Sequence, residues 1–329
     1  MIPIRDTTPT SNVPVVNNCL IGANILVFLI QLAQGSEIER FNFIYGLVPA
    51  RYSVPELAAY FSFGDQALSL ISFMFLHGGW LHLLGNMWTL YIFGDNVEDR
   101  LGPFRYLVFY LLCGLCSGLS HLTFNLHSNV PVIGASGAIA GVMGAYFLLH
   151  PHSRILTLIP IIIIPWFVEL PAFIFLGIWF LLQFINAAAS HAGSAGIAWW
   201  AHIGGFLFGM LFLKLMGRIP AVGVTGRMRP VTRKRRTDRL QVIRPVGPGD
   251  DHHLQGLIQV TPYEAAVGTR KLVNIPWGFH QRMVRVMVPA GVKEGTRLRL
   301  KGLGKIIGRD RNGTVERGDL FLKVKIRGY

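Results

Sequence analysis

The stretch GASGAIAGVMGAY at residues 134–146 decides how this chain folds, because it places a serine inside an apolar, glycine-striped helix. A second stretch, AHIGGFLFG at 201–209, carries the G-x-x-x-G pair Gly205 and Gly209. Small residues let two membrane helices approach closely, so we expect these two segments to pack together. The stripe in the first stretch consists of Gly134, Gly137, Gly141 and Gly144.

The composition around these stretches is that of a membrane protein. The 329 residues are 51% hydrophobic and 15% charged, and the mean hydropathy is +0.44. Runs near the roughly 20 residues that span a bilayer predict transmembrane helices. Six such runs lie at about 15–34, 80–94, 104–124, 133–149, 171–188 and 196–216.

The net charge of +14 is concentrated in the last third of the chain. Residues 1–217 carry 7 basic and 9 acidic side chains, whereas 218–244 carry 9 basic and 1 acidic. Basic residues favour the cytoplasmic side. We therefore expect both termini in the cytoplasm, a bacterial inner membrane as the location, and lipid rather than nucleic acid as the partner of the basic segment.

Three segments outside the spans receive weaker interpretations. We expect Met1–Asn12 to be a short tail and 36–79 to be a long outer loop at the interface. Residues 155–170 are apolar but are broken by Pro160 and Pro165, which favours an interfacial hairpin.

Four polar residues interrupt the predicted spans at one depth near the outer face: His82, Asn86, Ser136 and His202. Polar residues inside a membrane are functional candidates by default. A histidine can remove the proton from a serine, and N–H groups one helical turn apart can stabilise an oxyanion. The set predicts nucleophilic acyl transfer by a dyad, because no Asp or Glu lies at this depth.

Simpler interpretations exist for each residue alone. A single serine in a membrane helix usually bonds the carbonyl four residues earlier. The Cys113-x-x-Cys116 pair lies in a span without a second pair, which favours packing over metal or redox chemistry. The zinc protease motif H-E-x-x-H is absent, so we expect neither a metal nor another cofactor.

Taken together, four motifs resemble the rhomboid family of intramembrane serine proteases. They are HGGWLHLLGNMW (77–88), GDNVEDRLGPFRY (94–106), GASGAIAGVMGAY (134–146) and AHIGGFLFG (201–209). The resemblance implies a six-helix fold, a water-filled cavity that opens outward, and a mobile fifth helix as the substrate gate.

The same resemblance implies a role for each site residue. Ser136 would be the nucleophile and His202 the general base. The oxyanion hole would comprise His82, Asn86 and the backbone N–H of Ser136. Gly134, with Gly137 and Gly205, would shape the site.

The last third is a different kind of sequence. Alternating apolar residues between turn signals predict strands, at Leu257–Val260, Lys271–Ile275, Met283–Val288, Arg297–Lys301 and Leu320–Ile326. The stretches VMVPAGVKEGTRLRLKGLG (286–304) and RGDLFLKVKI (317–326) resemble the C-terminal domain of the DnaJ co-chaperones. This resemblance implies binding of unfolded peptide clients along a sheet edge; a stabilising or dimerising appendage is the alternative.

The sequence thus predicts an all-α polytopic membrane region with a six-helix fold, followed by a small all-β domain. The expected divisions are 1–217 for the membrane protease, 218–250 for a basic linker and 251–329 for the β-domain. The expected function is a serine endopeptidase that cleaves transmembrane substrates near the outer face. The alternative is a non-proteolytic, membrane-anchored chaperone or adaptor on the same scaffold.

Overall fold

The computed structural model divides the chain into two compact units, Met1–Arg233 and Lys234–Tyr329. The structure describes residues 1–161, 164–189, 198–218, 232, 240–243, 252–277, 280–309 and 315–326. Most of the predicted linker 218–250 therefore lies outside the described residues.

Each of the six predicted spans coincides with a helix in the first unit. The helices are α1 (Val15–Leu32), α6 (Trp80–Leu101), α7 (Pro103–Phe124), α8 (Ser136–Leu149), α9 (Ala172–Ala189) and α10 (Trp199–Arg218). Among the described residues, α1, α7, α9 and α10 are long and apolar enough to cross a membrane. Helix α6 qualifies only as a bent pair with Phe63–Phe75, and α8 is a shorter apolar helix of 14 residues.

Helix α8 lies at the centre, and glycines bring its backbone against that of α10. A Cβ on Gly205 would lie 2.0 Å from the carbonyl oxygen of Gly137, and one on Gly209 would lie 2.1 Å from that of Gly141. Real Cβ atoms do not approach so closely, so both positions require glycine. The predicted pairing of these two helices is thereby explained by direct backbone contact.

The segment 36–79 is helical, whereas we expected a loop. Its short helices are α2 (Ile38–Tyr45), α3 (Ala50–Ser53), α4 (Pro55–Ala58) and α5 (Phe63–Ser72). Ser62 caps α5 in a reciprocal capping box with Asp65, which is a local signal that the expectation of a loop overlooked.

A three-stranded antiparallel sheet joins the N-terminal residues to the segment between α8 and α9. Its strands are β1 (Ile2–Asp6), β2 (Arg154–Ile161) and β3 (Ile164–Pro171), in the order β1-β2-β3. The two later strands form a hairpin over the region where a hairpin was predicted, with Pro160 opposite Pro165. The N-terminal residues, however, form a paired strand and not a tail.

Carboxylates fix the N-terminal segment at the end of α6 that lies farther from Ser136. Glu98 accepts hydrogen bonds from the backbone N–H groups of Val16 and Asn17, at 3.1 and 2.8 Å. Asp99 accepts from those of Ser11 and Asn12, at 3.1 and 2.8 Å.

Asp6 occupies the same end of the bundle. Its carboxylate accepts hydrogen bonds from the hydroxyl of Tyr146 at 2.6 Å and the amide of Asn96 at 2.9 Å. Burial raises the pKa of Asp6 from 3.8 to about 6, although hydrogen bonds from Tyr146 and Thr8 oppose the rise. We call Asp6, Glu98 and Asp99 the carboxylate cluster.

The second unit is rich in strands, as predicted. One sheet has the order β5-β11-β8 and another the order β4-β6-β7, and a two-stranded ribbon joins β9 to β10. The strands are β4 (Leu240–Val242), β5 (Leu254–Val260), β6 (Thr269–Trp277), β7 (His280–Val288), β8 (Arg297–Leu300), β9 (Ile306–Arg309), β10 (Val315–Arg317) and β11 (Leu320–Ile326).

The second unit is not purely β, because it also contains helix α11 (Pro262–Val267). The carboxylate of Glu264 in α11 pairs with the ammonium of Lys271 on β6, and both side chains are almost fully buried. Alternate residues such as Ile258, Val286 and Val324 fill the core of this unit.

Candidate active site

Ser136 and His202 lie in hydrogen-bond contact. Ser136 is the first residue of α8, and His202 lies in the first turn of α10. The Oγ of Ser136 is 2.7 Å from the Nε2 of His202. This distance requires the close approach of α8 and α10 that their glycines allow. Ser136 therefore has an imidazole partner within reach, and the simpler interpretation of a serine bonded only to its own helix does not describe it.

His202 also contacts a residue that the sequence analysis missed. Its Nδ1 is 2.8 Å from the Oε1 of Gln183 on α9, and both side chains are buried. The rings of Trp179 and Trp199 lie against the imidazole, with centroid distances of 5.9 and 6.2 Å. The signal for Gln183 was present, because it is a polar side chain within an apolar span.

His82 and Asn86 lie on α6 and line the same cavity as Ser136 and His202. The Nδ1 of His82 accepts a hydrogen bond from the backbone N–H of Gly78 at 3.2 Å. The proton of a neutral His82 ring then resides on Nε2. The Nδ2 of Asn86 is buried and has no hydrogen-bond partner among the described residues. Both residues can thus donate an N–H that no described partner uses.

Gly134 forms the wall next to His82. Its φ of +135° lies in a region that favours glycine, and a Cβ would lie 2.8 Å from Cε1 of His82. Gly137 packs against the neighbouring helix α7, since a Cβ there would lie 2.0 Å from the hydroxyl of Ser117. The glycines predicted to shape the site therefore occupy positions where a side chain does not fit.

A cavity of about 1000 Å³ is lined by His82, Asn86, Gly134, Ser136 and His202. Its lining combines the polar groups of α6, α8 and α10 with aromatic rings such as Trp179 and Trp199, and it includes Met1 and Pro3 of the N-terminal segment. We call Ser136, His202, Gln183, His82 and Asn86 the serine site. Among the described residues, no group of three or more His, Cys, Asp or Glu side chains could hold a metal ion.

A serine bonded to a histidine in a cavity among apolar helices places the chain in the class of integral membrane proteins with a polar site among their helices. Comparison with known proteins agrees with this class. Residues 64–219 match the Rhomboid domain, and residues 249–328 match the DnaJ C terminal domain. The chain is therefore similar to the Rhomboid domain in its first unit and to the DnaJ C terminal domain in its second.

Curated relatives cover the rhomboid part. Rhomboid protein 1, mitochondrial, of Saccharomyces cerevisiae is 28% identical over 59% of this chain and 51% of its own length. RHOMBOID-like protein 4 of Arabidopsis thaliana is 42% identical over 25% of this chain and 20% of its own length. Rhomboid-like protein 11, chloroplastic, of the same plant is 27% identical over 46% of this chain and 52% of its own length. The chain spans about half or less of the length of these relatives.

Proposed function

We propose that the chain is an intramembrane serine endopeptidase that cleaves transmembrane substrates near the outer membrane face. The observation that carries the proposal is the 2.7 Å contact between Ser136 Oγ and His202 Nε2 inside a cavity among apolar helices. The proposed membrane is a bacterial inner membrane, and the distribution of Lys and Arg supports an orientation with both termini in the cytoplasm.

The proposed reaction begins when Oγ of Ser136 attacks the scissile carbonyl carbon. Nε2 of His202 takes the hydroxyl proton as the new C–O bond forms. The former carbonyl oxygen becomes an oxyanion, which accepts hydrogen bonds from the backbone N–H of Ser136, the Nε2–H of His82 and the Nδ2–H of Asn86. The unpartnered donor of Asn86 supports this role, since a buried donor without an acceptor is unfavourable until the oxyanion forms.

The second half of the reaction restores the enzyme. His202 returns its proton to the leaving amine nitrogen, the C–N bond breaks, and an acyl-enzyme on Ser136 remains. A water molecule in the cavity then attacks the ester while His202 takes one of its protons. The free carboxyl product leaves, and Ser136 recovers its hydroxyl proton.

Substitution of Ser136 tests this proposal. We expect Ser136→Ala to abolish both cleavage of a model transmembrane substrate and labelling by a fluorophosphonate probe. Ser117→Ala is the matched control, because the Ser117 hydroxyl donates to the carbonyl of Gly114 and not to the histidine. Cleavage by Ser136→Ala at the wild-type rate would refute the proposal. A folded wild-type protein that neither labels nor cleaves would favour the non-proteolytic anchor or adaptor.

For the second unit we propose that unfolded peptide clients bind the outer face of the β4-β6-β7 sheet. Leu272, Met283 and Met287 are exposed apolar residues of β6 and β7, and the strand register places them on one face with Arg270 and Arg285. Exposed methionines suit a surface that accepts varied apolar segments.

A double substitution tests client binding. We expect Met283→Ser with Met287→Ser to weaken binding of a fluorescent, extended apolar peptide to the full chain by about tenfold. Arg285→Gln, between them on the same face, should retain most of the affinity. Unchanged peptide affinity together with a smaller oligomer in the double variant would instead identify the face as a dimer contact.

A further inference from the structure

Gln183 has one amide arrangement that satisfies both of its hydrogen bonds. Its Nε2 donates to the backbone carbonyl of Trp179, one turn earlier on α9, at 3.3 Å. That donation directs the Oε1 atom toward the Nδ1 of His202, at 2.8 Å. Because an amide oxygen only accepts, the Nδ1 of His202 must be the donor in this bond.

The bond to Gln183 sets the tautomer of His202. In a neutral imidazole only one ring nitrogen carries a proton. With the proton on Nδ1, the Nε2 atom presents a lone pair to the hydroxyl of Ser136. The opposite tautomer would place a proton between Nε2 and Ser136 and leave Nδ1 facing the amide oxygen as a second acceptor. Both side chains are buried, so that mismatch would have no water to relieve it.

We propose that Gln183 is a positioning residue that holds His202 in the tautomer and orientation required of a general base. The inference rests on the proposed protease function. It adds an amide as a third member to what the sequence presents as a dyad, since no carboxylate of the described residues bonds His202. The bond also joins two helices, so the orientation of the base depends on α9 lying against α10.

The alternative is that Gln183 only satisfies its own polarity in the helix. The two interpretations predict opposite orders for two substitutions. Gln183→Met keeps the length and adds apolar character, so a purely structural role predicts that it is tolerated better than Gln183→Glu. A positioning role predicts the reverse, because Gln183→Glu keeps an oxygen acceptor for Nδ1–H whether it is ionised or protonated.

The experiment measures inactivation of the full chain by an alkyl fluorophosphonate, with the maximal rate constant kinact separated from the binding constant KI. We expect Gln183→Met to lower kinact by about tenfold or more with KI unchanged, because tautomer control affects proton transfer and not probe binding. Gln183→Glu should restore kinact to within about threefold of the wild type. Asn186→Leu is the matched control, since the Asn186 amide lies on α9 and, among the described residues, donates to the carbonyl of Leu182 in its own helix.

Each result has a defined meaning. Wild-type kinact in Gln183→Met, or equal losses in Gln183→Met and Gln183→Glu, would overturn the inference. Gln183→Leu provides a second apolar variant if Gln183→Met does not accumulate in membranes. Failure of the proposed function gives a different result, because the wild type itself would then not be labelled or Ser136→Ala would be labelled equally.

Discussion

The serine site and the carboxylate cluster lie toward opposite ends of the same helices, and they treat polar groups differently. At the carboxylate cluster, both oxygens of Glu98 and both oxygens of Asp99 accept backbone N–H groups. At the serine site the polar groups are neutral side chains, and the Nδ2 donor of Asn86 has no partner among the described residues.

This difference separates structural polarity from polarity available for chemistry. A buried charge surrounded by donors holds a segment in place and has little capacity left for a ligand. A buried donor without an acceptor is unfavourable and is expected where a ligand or transition state completes it. Substitutions at the serine site should therefore lower activity, whereas substitutions at the carboxylate cluster should change stability.

Among substitutions that keep Ser136 and His202, the largest expected effect comes from Gly134→Ala at the serine site. The added Cβ would lie within 3 Å of the His82 ring, and the backbone of an alanine at this position would be held at an unfavourable φ of +135°. Displacing one oxyanion donor typically lowers kcat by about 10²- to 10³-fold, and we expect that loss in cleavage of the model substrate. Gly85→Ala is the control, because Gly85 also lines the cavity but has open space around its Cβ position. Near wild-type cleavage by Gly134→Ala would argue against an oxyanion role for His82.

Glu98→Ala should destabilise the first unit without altering the chemistry. It leaves the N–H groups of Val16 and Asn17 without their acceptor, which corresponds to roughly 1 to 3 kcal/mol for the buried donor of Asn17 and less for the part-buried donor of Val16. Thermal unfolding in detergent should show a lower midpoint, while the folded fraction retains fluorophosphonate labelling. The exposed Glu56→Ala provides the control. A fall in kinact without a change in the unfolding midpoint would contradict the assignment of Glu98 to structure.

Asp6 makes docking of β1 depend on pH. Its folded-state pKa of about 6 exceeds the unfolded value of 3.8, so the protonated form favours the docked state. Docking should be strongest below about pH 4 and should weaken by about 3 kcal/mol as pH rises through 6. Hydrogen exchange of the β1 amides, corrected for intrinsic rates, measures this trend. Asp6→Asn should remove it and strengthen docking at pH 7; an identical pH trend in that variant would exclude Asp6 as the source.

The smallest effect is expected for the two cysteines of α7, which lie between the serine site and the carboxylate cluster. Cys113 packs against α8, because a Cβ on Gly141 would lie 2.5 Å from Cβ of Cys113. Cys113→Ala combined with Cys116→Ala should lower stability by about 1 kcal/mol, as loss of packing, with kinact unchanged. Metal-dependent or redox-dependent activity that disappears in this variant would refute the packing interpretation.

Much of the membrane unit could be predicted because its signals are local. Apolar length located the six helices, and glycine spacing indicated that α8 and α10 approach closely. Two polar residues at one depth, Ser136 and His202, could be paired on that basis alone. Five strands of the second unit, β5, β6, β7, β8 and β11, followed from alternation in the same local way, whereas the short strands β4, β9 and β10 were not predicted.

Features that depend on distant contacts could not be predicted in this way. Gln183 is one of two amides in a strongly apolar span, the other being Asn186, and only the packing of α9 against α10 shows that Gln183 faces Nδ1 of His202. The pairing of β1 with β2 joins residues about 150 positions apart, and five residues carry too short a pattern to identify a strand partner. The capping box at Ser62 is the exception, because that signal was local and was overlooked.

The long sequence separation within the β1-β2-β3 sheet also imposes an order of assembly. Residues 2–6 are synthesised before their partner strand Arg154–Ile161, which is made last among the elements they contact. At about 5 to 20 residues per second, the N-terminal segment waits roughly 8 to 30 s for that partner. During this interval, among the described residues, β1 has only its contacts with α6 and α8, such as the hydrogen bonds that Asp6 accepts from Asn96 and Tyr146. Closure of this sheet therefore cannot precede synthesis of α6, α7 and α8, whereas α9 and α10, which carry Gln183 and His202, come later in the chain.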